Sequence, residues 1–347
     1  MRTLSLMLAF NLVEAFVVTQ PLGTMFSPNV NADRLGRQET RLRDSEVDID
    51  LTTSNQISNL FHRHSFFPSR TVDLPSEKSY GMPWTKSIDA SLDQDALLFM
   101  PFWNWQMEFM KESLTNLRAL PCENVDGVNF LYEENVDKKA RIVSLCYASD
   151  EYRKIRLTYY DAGNNCQVFN SVWYPSPQFN LPILGVDILS FNRKKFLGIV
   201  DFQPIHAQES KHALPFEARI KNIKDNYNSL KGRMSSKFYD ETQFFSQQML
   251  FARFEDEKTI SSELFPAFKE YATEHLKLIQ DCPYSPYSEM SMVLERQKAY
   301  DTYSAERDPA VGLFSSMFGK QWADSFVYNF LFSLAERGSA QDAEVSA

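Results

Sequence analysis

Five short apolar runs follow one another between residues 139 and 204, separated by short polar turns. They are rich in Val, Ile, Leu, Phe and Tyr, which is typical of strands. Their connections are too short for helical crossovers, so we expect them to pair antiparallel as a meander. The five runs are "KARIVSLCYAS", "YRKIRLTYYDAG", "NCQVFNSVWYP", "LPILGVDILSF" and "KKFLGIVDFQP".

Apolar residues at helical spacing lie on both sides of this strand block. Before it, the stretch from Leu97 to Leu120 predicts a helix, with Pro101 in its first turn or as an interruption. A sheet with a helix before it and several after it predicts a single-domain α/β/α sandwich over residues 91–336, built on a central antiparallel sheet. The later helices are predicted in "FEARIKNIKDNYNSL", "ELFPAFKEYATEHLKLIQ", "EMSMVLERQKAYDTYSAE" and "WADSFVYNFLFSLAE".

The N-terminal residues have the pattern of a targeting segment. A basic Arg2 precedes an apolar run that is too short to cross a bilayer, and this predicts a signal peptide over residues 1–15. Residues 16–60 are rich in Ser, Thr, Asn and Arg, as in a transit peptide. Phe16 directly follows the predicted cleavage site, which resembles the two-part presequences of algae with a red-algal plastid. We therefore expect a soluble protein of the plastid stroma; simple secretion is the alternative.

The two remaining terminal segments are predicted to lack regular structure. Residues 61–90 contain several Pro and many polar residues, which indicates a flexible arm. Residues 337–347, "RGSAQDAEVSA", are predicted to be a disordered tail.

Composition and charge exclude several classes of function. The 347 residues include only 11 Gly, and no G-x-G-x-x-G or G-x-x-x-x-G-K-[ST] occurs, so a nucleotide on a Gly-rich loop is not expected. No two of the four Cys lie within four residues of each other, whereas zinc and iron–sulfur sites usually show close pairs. A net charge of −9 argues against nucleic acid as a partner. An enzyme without metal or nucleotide motifs must take any redox power from elsewhere.

One acidic residue, Asp187, interrupts the apolar run "LPILGVDILSF". With a period of two it shares a face with Gly185 and Leu189. A carboxyl group desolvated on such a face should have a raised pKa, and it could then donate a proton near neutral pH. The alternative is an Asp at a strand edge that reaches water or a backbone amide.

A second acidic residue, Asp308, precedes Pro309 in the segment "ERDPAVGLFSSMF". Asp is a favoured N-cap and Pro a favoured first helical residue, so residue chemistry alone makes Asp308 a helix cap. Such a cap is worth about 1 kcal/mol.

Three further polar residues lie in apolar strand-like segments. Asn170 and Gln203 could hydrogen-bond a ligand, and Arg253 could bind a ligand carboxylate. Each could equally be a satisfied structural group. Asp201 lies on the same face as Gln203 and could be structural.

Three of these segments together resemble the ferredoxin-dependent bilin reductases. The segments are "DAGNNCQVFNSVWYP", "LPILGVDILSFNRKKFLGIVDFQP" and "YSAERDPAVGLFSSMFGKQWADSFVYNFLF", within residues 140–335. The resemblance implies a linear tetrapyrrole bound between an antiparallel sheet and the C-terminal helices. It also implies single electrons from reduced ferredoxin, no bound metal or flavin, and a pair of proton-donating Asp residues at Asp187 and Asp308.

Within that family, the motifs favour one reaction. Members that form phycocyanobilin have His where this chain has Asn170. The sequence motifs are most similar to those of members that reduce biliverdin IXα at its C15–C16 bridge. Those members form 15,16-dihydrobiliverdin by a radical mechanism, on the path to phycoerythrobilin. Reduction of 15,16-dihydrobiliverdin to phycoerythrobilin is the close alternative, and a bilin carrier without catalysis is another.

The resemblance also predicts what contacts the substrate and the partner. Asn170 and Gln203 are expected to order the ligand or water, while Ser246 and Arg253 are candidates for the propionates. Ferredoxin is acidic, so its docking needs a local basic patch, for which the turn Asn192 to Lys195 is a candidate. That turn could also be a solvated hairpin. The next bilin reductase of the pathway is a further possible partner, and no membrane is expected in the mature form.

Overall fold

The computed structural model describes residues 97–337, apart from 123–126, 136, 207–209, 233, 235–239 and 241–242. For residues 210–214 it describes the backbone alone. The predicted signal peptide (1–15), transit peptide (16–60) and arm (61–90) lie outside the described residues, as do residues 338–347 of the predicted tail.

An eight-stranded sheet with entirely antiparallel pairing forms the middle layer. The order is β1-β3-β4-β5-β6-β7-β8, and β2 pairs with β3 along the same edge as β1. The five predicted runs form β3 to β7 as a continuous meander, so that prediction is confirmed. The strands are β1 Arg118–Ala119, β2 Tyr132–Asn135, β3 Ala140–Ala148, β4 Tyr152–Asp161, β5 Cys166–Pro175, β6 Ile183–Phe191, β7 Lys195–Gln203 and β8 Leu250–Phe254.

Helices cover both faces of this sheet. On one face, α1, α2 and α3 pack on residues such as Leu157, Phe169 and Val200. On the other face, α4, α5 and the C-terminal segment pack against residues such as Val172 and Leu189. The α/β/α sandwich is therefore confirmed. The helices are α1 Met100–Ser113, α2 Ser210–Lys224, α3 Phe265–Asp281, α4 Tyr287–Arg307, α5 Ala310–Phe318 and α6 Lys320–Ser325, the last continued by a π-helical turn Phe326–Leu331.

The first two helices end earlier than predicted. The helix expected to reach Leu120 ends at Ser113, because Asn116 adopts a left-handed φ of 51° and the chain turns back to pair as β1. The helix expected to reach Leu230 ends at Lys224, followed by a short 3₁₀ turn. Helix propensity favours a longer first helix, but the pairing of β1 with β3 ends it. Pro101 lies in the first turn of α1, where it removes no helical hydrogen bond.

Candidate active site

A cavity separates the sheet from the helices α4 and α5. Its empty space, with the open solvent at its mouth included, is about 1150 Å³. Strands β4 to β7 form its floor, and the α4–α5 junction and the C-terminal segment form the opposite wall. Aliphatic and aromatic side chains make up much of the lining, such as Val168, Leu189, Ile199, Leu313, Phe314 and Phe332. A large conjugated ligand fits such a lining.

Asp187 lies in the floor of this cavity. It is half-buried, while every other residue of β6 is buried, because its side chain opens onto the cavity. Desolvation and, to a smaller extent, the charge of Asp308 raise the pKa of Asp187, which is about 7. The hydrogen bond from Asn170 and the charge of Arg156 act in the opposite direction. Near neutral pH this carboxyl group can therefore both hold and release a proton.

Asp308 lines the same cavity from the α4–α5 junction. Its backbone is extended, between the end of α4 and the start of α5. Its Oδ1 accepts the backbone N–H of Ala310 at 2.8 Å, and its carbonyl accepts the N–H of Val311 at 3.3 Å. Desolvation raises the pKa of Asp308, against the Ala310 bond and the charge of Arg156. The N-cap of α5 is Pro309, one residue after the predicted one, but Asp308 still accepts the first N–H of α5 and lines the cavity.

Asn170 connects Asp187 to a buried arginine. Asn170 and Asp187 are directly opposite on β5 and β6, and the Asn170 Nδ2 donates to Asp187 Oδ1 at 3.1 Å. On its other side, the Asn170 Oδ1 accepts a hydrogen bond from Nη1 of Arg156 on β4. The three side chains form one chain of hydrogen bonds across three strands of the cavity floor.

Gln203 also lines the cavity, next to a glycine. Its Oε1 accepts the hydroxyl of Tyr300 on α4 at 2.5 Å, which joins β7 to the opposite wall. The side-chain amide lies over Gly185 so closely that a Cβ there would be 2.3 Å from the Gln203 oxygen. Glycine at this position is therefore what makes room for the amide.

Ser246 and Arg253 are not brought to the cavity wall. The Ser246 hydroxyl and backbone N–H both bond to the buried carboxylate of Asp201. Burial raises the pKa of Asp201 to about 7, against these two bonds, and its role is structural. Arg253 is exposed on the edge strand β8, with its guanidinium 5.6 Å from the ring centre of Phe251.

Polar residues of β4 also reach the cavity, and sequence reasoning missed them. Arg156, Thr158 and Tyr160 alternate along the strand and all line the cavity. The Tyr160 hydroxyl is buried and has no hydrogen-bond partner in the described part of the chain. The signal that could have found them is a polar residue at every second position of a strand, whereas Asp187 was found as a single acid in an apolar run.

Within the ranges that the structure describes, no three His, Cys, Asp or Glu side chains come together as a metal site. None of the helices in those ranges is long and apolar enough to cross a membrane.

Comparison with known proteins places this cavity in a family. The family model for ferredoxin-dependent bilin reductases matches residues 110–333. Proteins named 15,16-dihydrobiliverdin:ferredoxin oxidoreductase are similar over 68% of this chain and 95% of their own length, at 40% identity in Nostoc punctiforme and in Gloeobacter violaceus. A crystal structure of phytochromobilin synthase from tomato in complex with biliverdin shares the fold: the TM-score is 0.60 at 20% identity, over 71% of this chain and 88% of that one. The chain therefore belongs to the ferredoxin-dependent bilin reductases, oxidoreductases that take their electrons from ferredoxin.

Proposed function

We propose that this protein reduces the C15–C16 bridge of biliverdin IXα and so forms 15,16-dihydrobiliverdin, the first step toward phycoerythrobilin. Its relatives at 40% identity are named 15,16-dihydrobiliverdin:ferredoxin oxidoreductase, and the structural neighbour was solved with biliverdin. The observation that carries the proposal is the pair of half-buried carboxyl groups on one cavity, Asp187 in its floor and Asp308 in its opposite wall. A carrier without catalysis would need no such pair.

The chemistry of the reduction determines what these acids must do. Reduction of a methine bridge adds two electrons and two protons to the bilin, and ferredoxin supplies the electrons one at a time. The bilin itself carries the unpaired electron between the two transfers, so the protein needs no bound redox group. What the protein must supply is protons at fixed positions and a cavity that excludes water.

In this mechanism the two acids donate protons to different parts of the bilin. Asp187, with a pKa raised to about 7 by burial, holds a proton at neutral pH and donates it to the pyrrole nitrogens at the centre of the bilin. Asp308 delivers a proton to the reduced bridge from the other side. Its backbone cap bond to Ala310 holds the carboxyl group at the wall. Asn170 and Gln203 orient the bilin or the water beside it.

An anaerobic assay tests the reaction. Biliverdin, reduced ferredoxin and the purified protein are mixed, and the absorbance is followed while the product is separated by chromatography. A blue-shifted product that lacks conjugation through the C15 bridge supports the proposal. Conversion of added 15,16-dihydrobiliverdin to phycoerythrobilin would assign the second step instead. A changed bilin spectrum on binding, with no reduction, would make the protein a carrier.

Substitution of Asp308 tests the proton donors. Asp308→Asn keeps an oxygen acceptor for the Ala310 N–H but removes the proton. We expect this variant to bind biliverdin with unchanged affinity and to stop after the first electron, with a radical visible by electron paramagnetic resonance. Full turnover would exclude Asp308 as a donor. Asp225→Asn, at the exposed end of α2, is the matched control.

Ferredoxin docking on the Asn192–Lys195 turn remains part of the proposal. Asn192 and Arg193 both have positive φ, as in a tight hairpin turn. Arg193 forms a bidentate ion pair with Glu257, which neutralises one of the three positive charges of the turn. Lys194 and Lys195 are exposed. If this turn binds ferredoxin, Lys194→Ala should raise the KM for ferredoxin and weaken its salt dependence. An unchanged KM would move the docking site elsewhere.

We also propose that the protein acts in the plastid stroma, where it passes its product to the next bilin reductase. Residues 1–60, which carry the targeting pattern, support this location. A fluorescent fusion of these residues would test it: signal outside the plastid would exclude the location.

A further inference from the structure

Arg156 is a buried cation in the cavity floor that the mechanism above does not use. Its side chain is almost fully buried on β4, with 1% of its surface exposed. The guanidinium lies 5.2 Å from the ring centre of Phe332. In the described part of the chain it forms no salt bridge with a carboxylate, and its Nε has no hydrogen-bond partner. Burial of an unpaired charge is expensive, so its retention calls for a function.

The bond from Arg156 determines which way the Asn170 amide points. A guanidinium is only a donor, so the amide must present its oxygen to Arg156. The amide nitrogen then faces Asp187 and donates to it. With the amide reversed, two donors would meet at Arg156, and an oxygen would meet the Asp187 carboxylate. Arg156 therefore guarantees that Asp187 receives a donor.

Donation of a proton leaves Asp187 as an anion inside an apolar cavity. Few groups near it can stabilise that anion. Asp308, from the α4–α5 junction, raises the pKa of Asp187, and Arg156 lowers it. The charged and titratable groups that share the cavity wall with Asp187 are Arg156 and Tyr160 on β4, Cys166 on β5, Tyr300 on α4 and Asp308. Arg156 is the cation of this set.

We propose that Arg156 is a positioning residue for proton transfer: it holds the Asn170 amide donor on Asp187, and its charge stabilises the Asp187 carboxylate left after the proton has gone. Without it, Asp187 would keep its proton to a higher pH and give it up less readily. The inference rests on the proposed donor role of Asp187, but its first test does not.

The first test measures the protonation of Asp187 directly, without turnover. Infrared difference spectra of the protein across a pH series follow the carbonyl band of the protonated carboxyl group, assigned by its loss in Asp187→Asn. In Arg156→Gln the midpoint for Asp187 should rise by about one pH unit or more, as expected for loss of a nearby charge in a cavity. An unchanged midpoint would overturn the proposal.

A matched control separates this effect from the general loss of a buried cation. Lys154 lies two residues earlier on the same strand and is also buried, but it bonds to the Phe330 carbonyl and Ser333 and does not line the cavity. Lys154→Gln should leave the Asp187 midpoint within a few tenths of a unit. An equal shift in both variants would contradict a specific role for Arg156.

Coupling between residues tests the route through Asn170. If Arg156 acts partly through the amide, Arg156→Gln and Asn170→Leu should shift the midpoint by less together than the sum of their separate shifts. Fully additive shifts would exclude the positioning role. Should Arg156→Gln fail to fold, Arg156→Lys serves instead. It keeps the charge but loses the planar fork, so a small upward shift is expected and no shift would count against positioning.

Turnover measurements then separate the donor role of Asp187 from the control of its protonation by Arg156. In Arg156→Gln, the rate of bilin reduction at the optimum should fall several-fold, and the alkaline limb of its pH profile should move up with the infrared midpoint. The KM for biliverdin should change little. A shifted infrared midpoint with an unshifted rate profile would exclude Asp187 as the donor, while leaving the control of its protonation by Arg156 intact.

Discussion

Replacing Asp187 with Asn should stabilise the protein, and the gain should depend on pH. Asn has nearly the shape of Asp, retains an oxygen that can accept the Asn170 bond, and carries no charge. In the folded protein, desolvation raises the pKa of Asp187 from its ordinary value of 3.8 to about 7. The folded state therefore binds the Asp187 proton more tightly than the unfolded chain, and ionisation of this group weakens the fold.

The sign and the size of this pH effect on stability follow from the two pKa values of Asp187, 3.8 as its ordinary value and about 7 in the folded protein. Below about pH 4 the carboxyl group is neutral in both states and has no effect. As the pH rises, the unfolded chain loses its proton first, and the stability of the folded protein falls until the pH passes about 7. One pKa unit corresponds to about 1.4 kcal/mol, so the full loss is at most about 4 kcal/mol. Of this, about 2 kcal/mol falls between about pH 5 and about pH 7.

Urea unfolding at a series of pH values measures this directly. The stability of Asp187→Asn relative to the natural chain should increase by about 2 kcal/mol from about pH 5 to about pH 7, and change little above that. Asp225→Asn is the control, because Lys221 holds the pKa of that exposed carboxyl group below its ordinary value and it does not titrate in this window. A constant difference between Asp187→Asn and the natural chain, or a loss of stability at neutral pH, would refute the reasoning.

Three further substitutions test the supports of the cavity. Gly185→Ala should lower the free energy of unfolding by about 1–3 kcal/mol, because its Cβ displaces Gln203 from Tyr300. In urea unfolding, adding Gln203→Ala to the Gly185→Ala chain should recover part of this loss. Fully additive losses from the two substitutions would contradict the reasoning. Ser246→Ala should lower the free energy of unfolding by about 1–3 kcal/mol, because it removes a donor from the buried Asp201 carboxylate. The KM for biliverdin should not change; a raised KM would indicate that Ser246 contacts the substrate. Asp301 accepts the Tyr174 hydroxyl at one carboxylate oxygen and the Leu334 backbone N–H at the other. Asp301→Asn leaves one oxygen for these two donors, so hydrogen exchange at residues 326–334 should be faster; unchanged exchange would show that the segment is held by other contacts.

The sheet could be predicted because its strands leave a clear trace in the sequence. The runs that form β3 to β7 are long, apolar and joined by short turns, so meander pairing followed directly. The edge strands could not be predicted in this way. Strands β1, β2 and β8 have two, four and five residues, too few for a period of two to stand out. They form because the edges of β3 and β7 offer unpaired backbone groups, which is a tertiary effect.

The candidate site was predicted unevenly for a similar reason. Asp187 stood out because its neighbours along β6 are apolar. Arg156 did not, because the segment "YRKIR" places other cations around it and looks like the solvated end of a strand. Only the packing of helices on both faces shows that Arg156 is buried. A polar residue in a strand is thus informative only when both faces are known to be covered.

The position of Asp308 relative to Asp187 depends on hydrogen bonds that hold α4 on the sheet. Asn170 on β5 donates to Asp187, and Tyr174, four residues later on the same strand, donates to Asp301 on α4 at 2.8 Å. Asp301 lies about two helical turns before Asp308, so this bond fixes the end of α4 from which Asp308 faces the cavity. Tyr300 on α4 also donates to Gln203 on β7, so the gap between the two carboxyl groups is set by the sheet rather than by the loops at the cavity mouth. Loosening the Tyr174 bond should therefore displace Asp308 while leaving Asp187 in place.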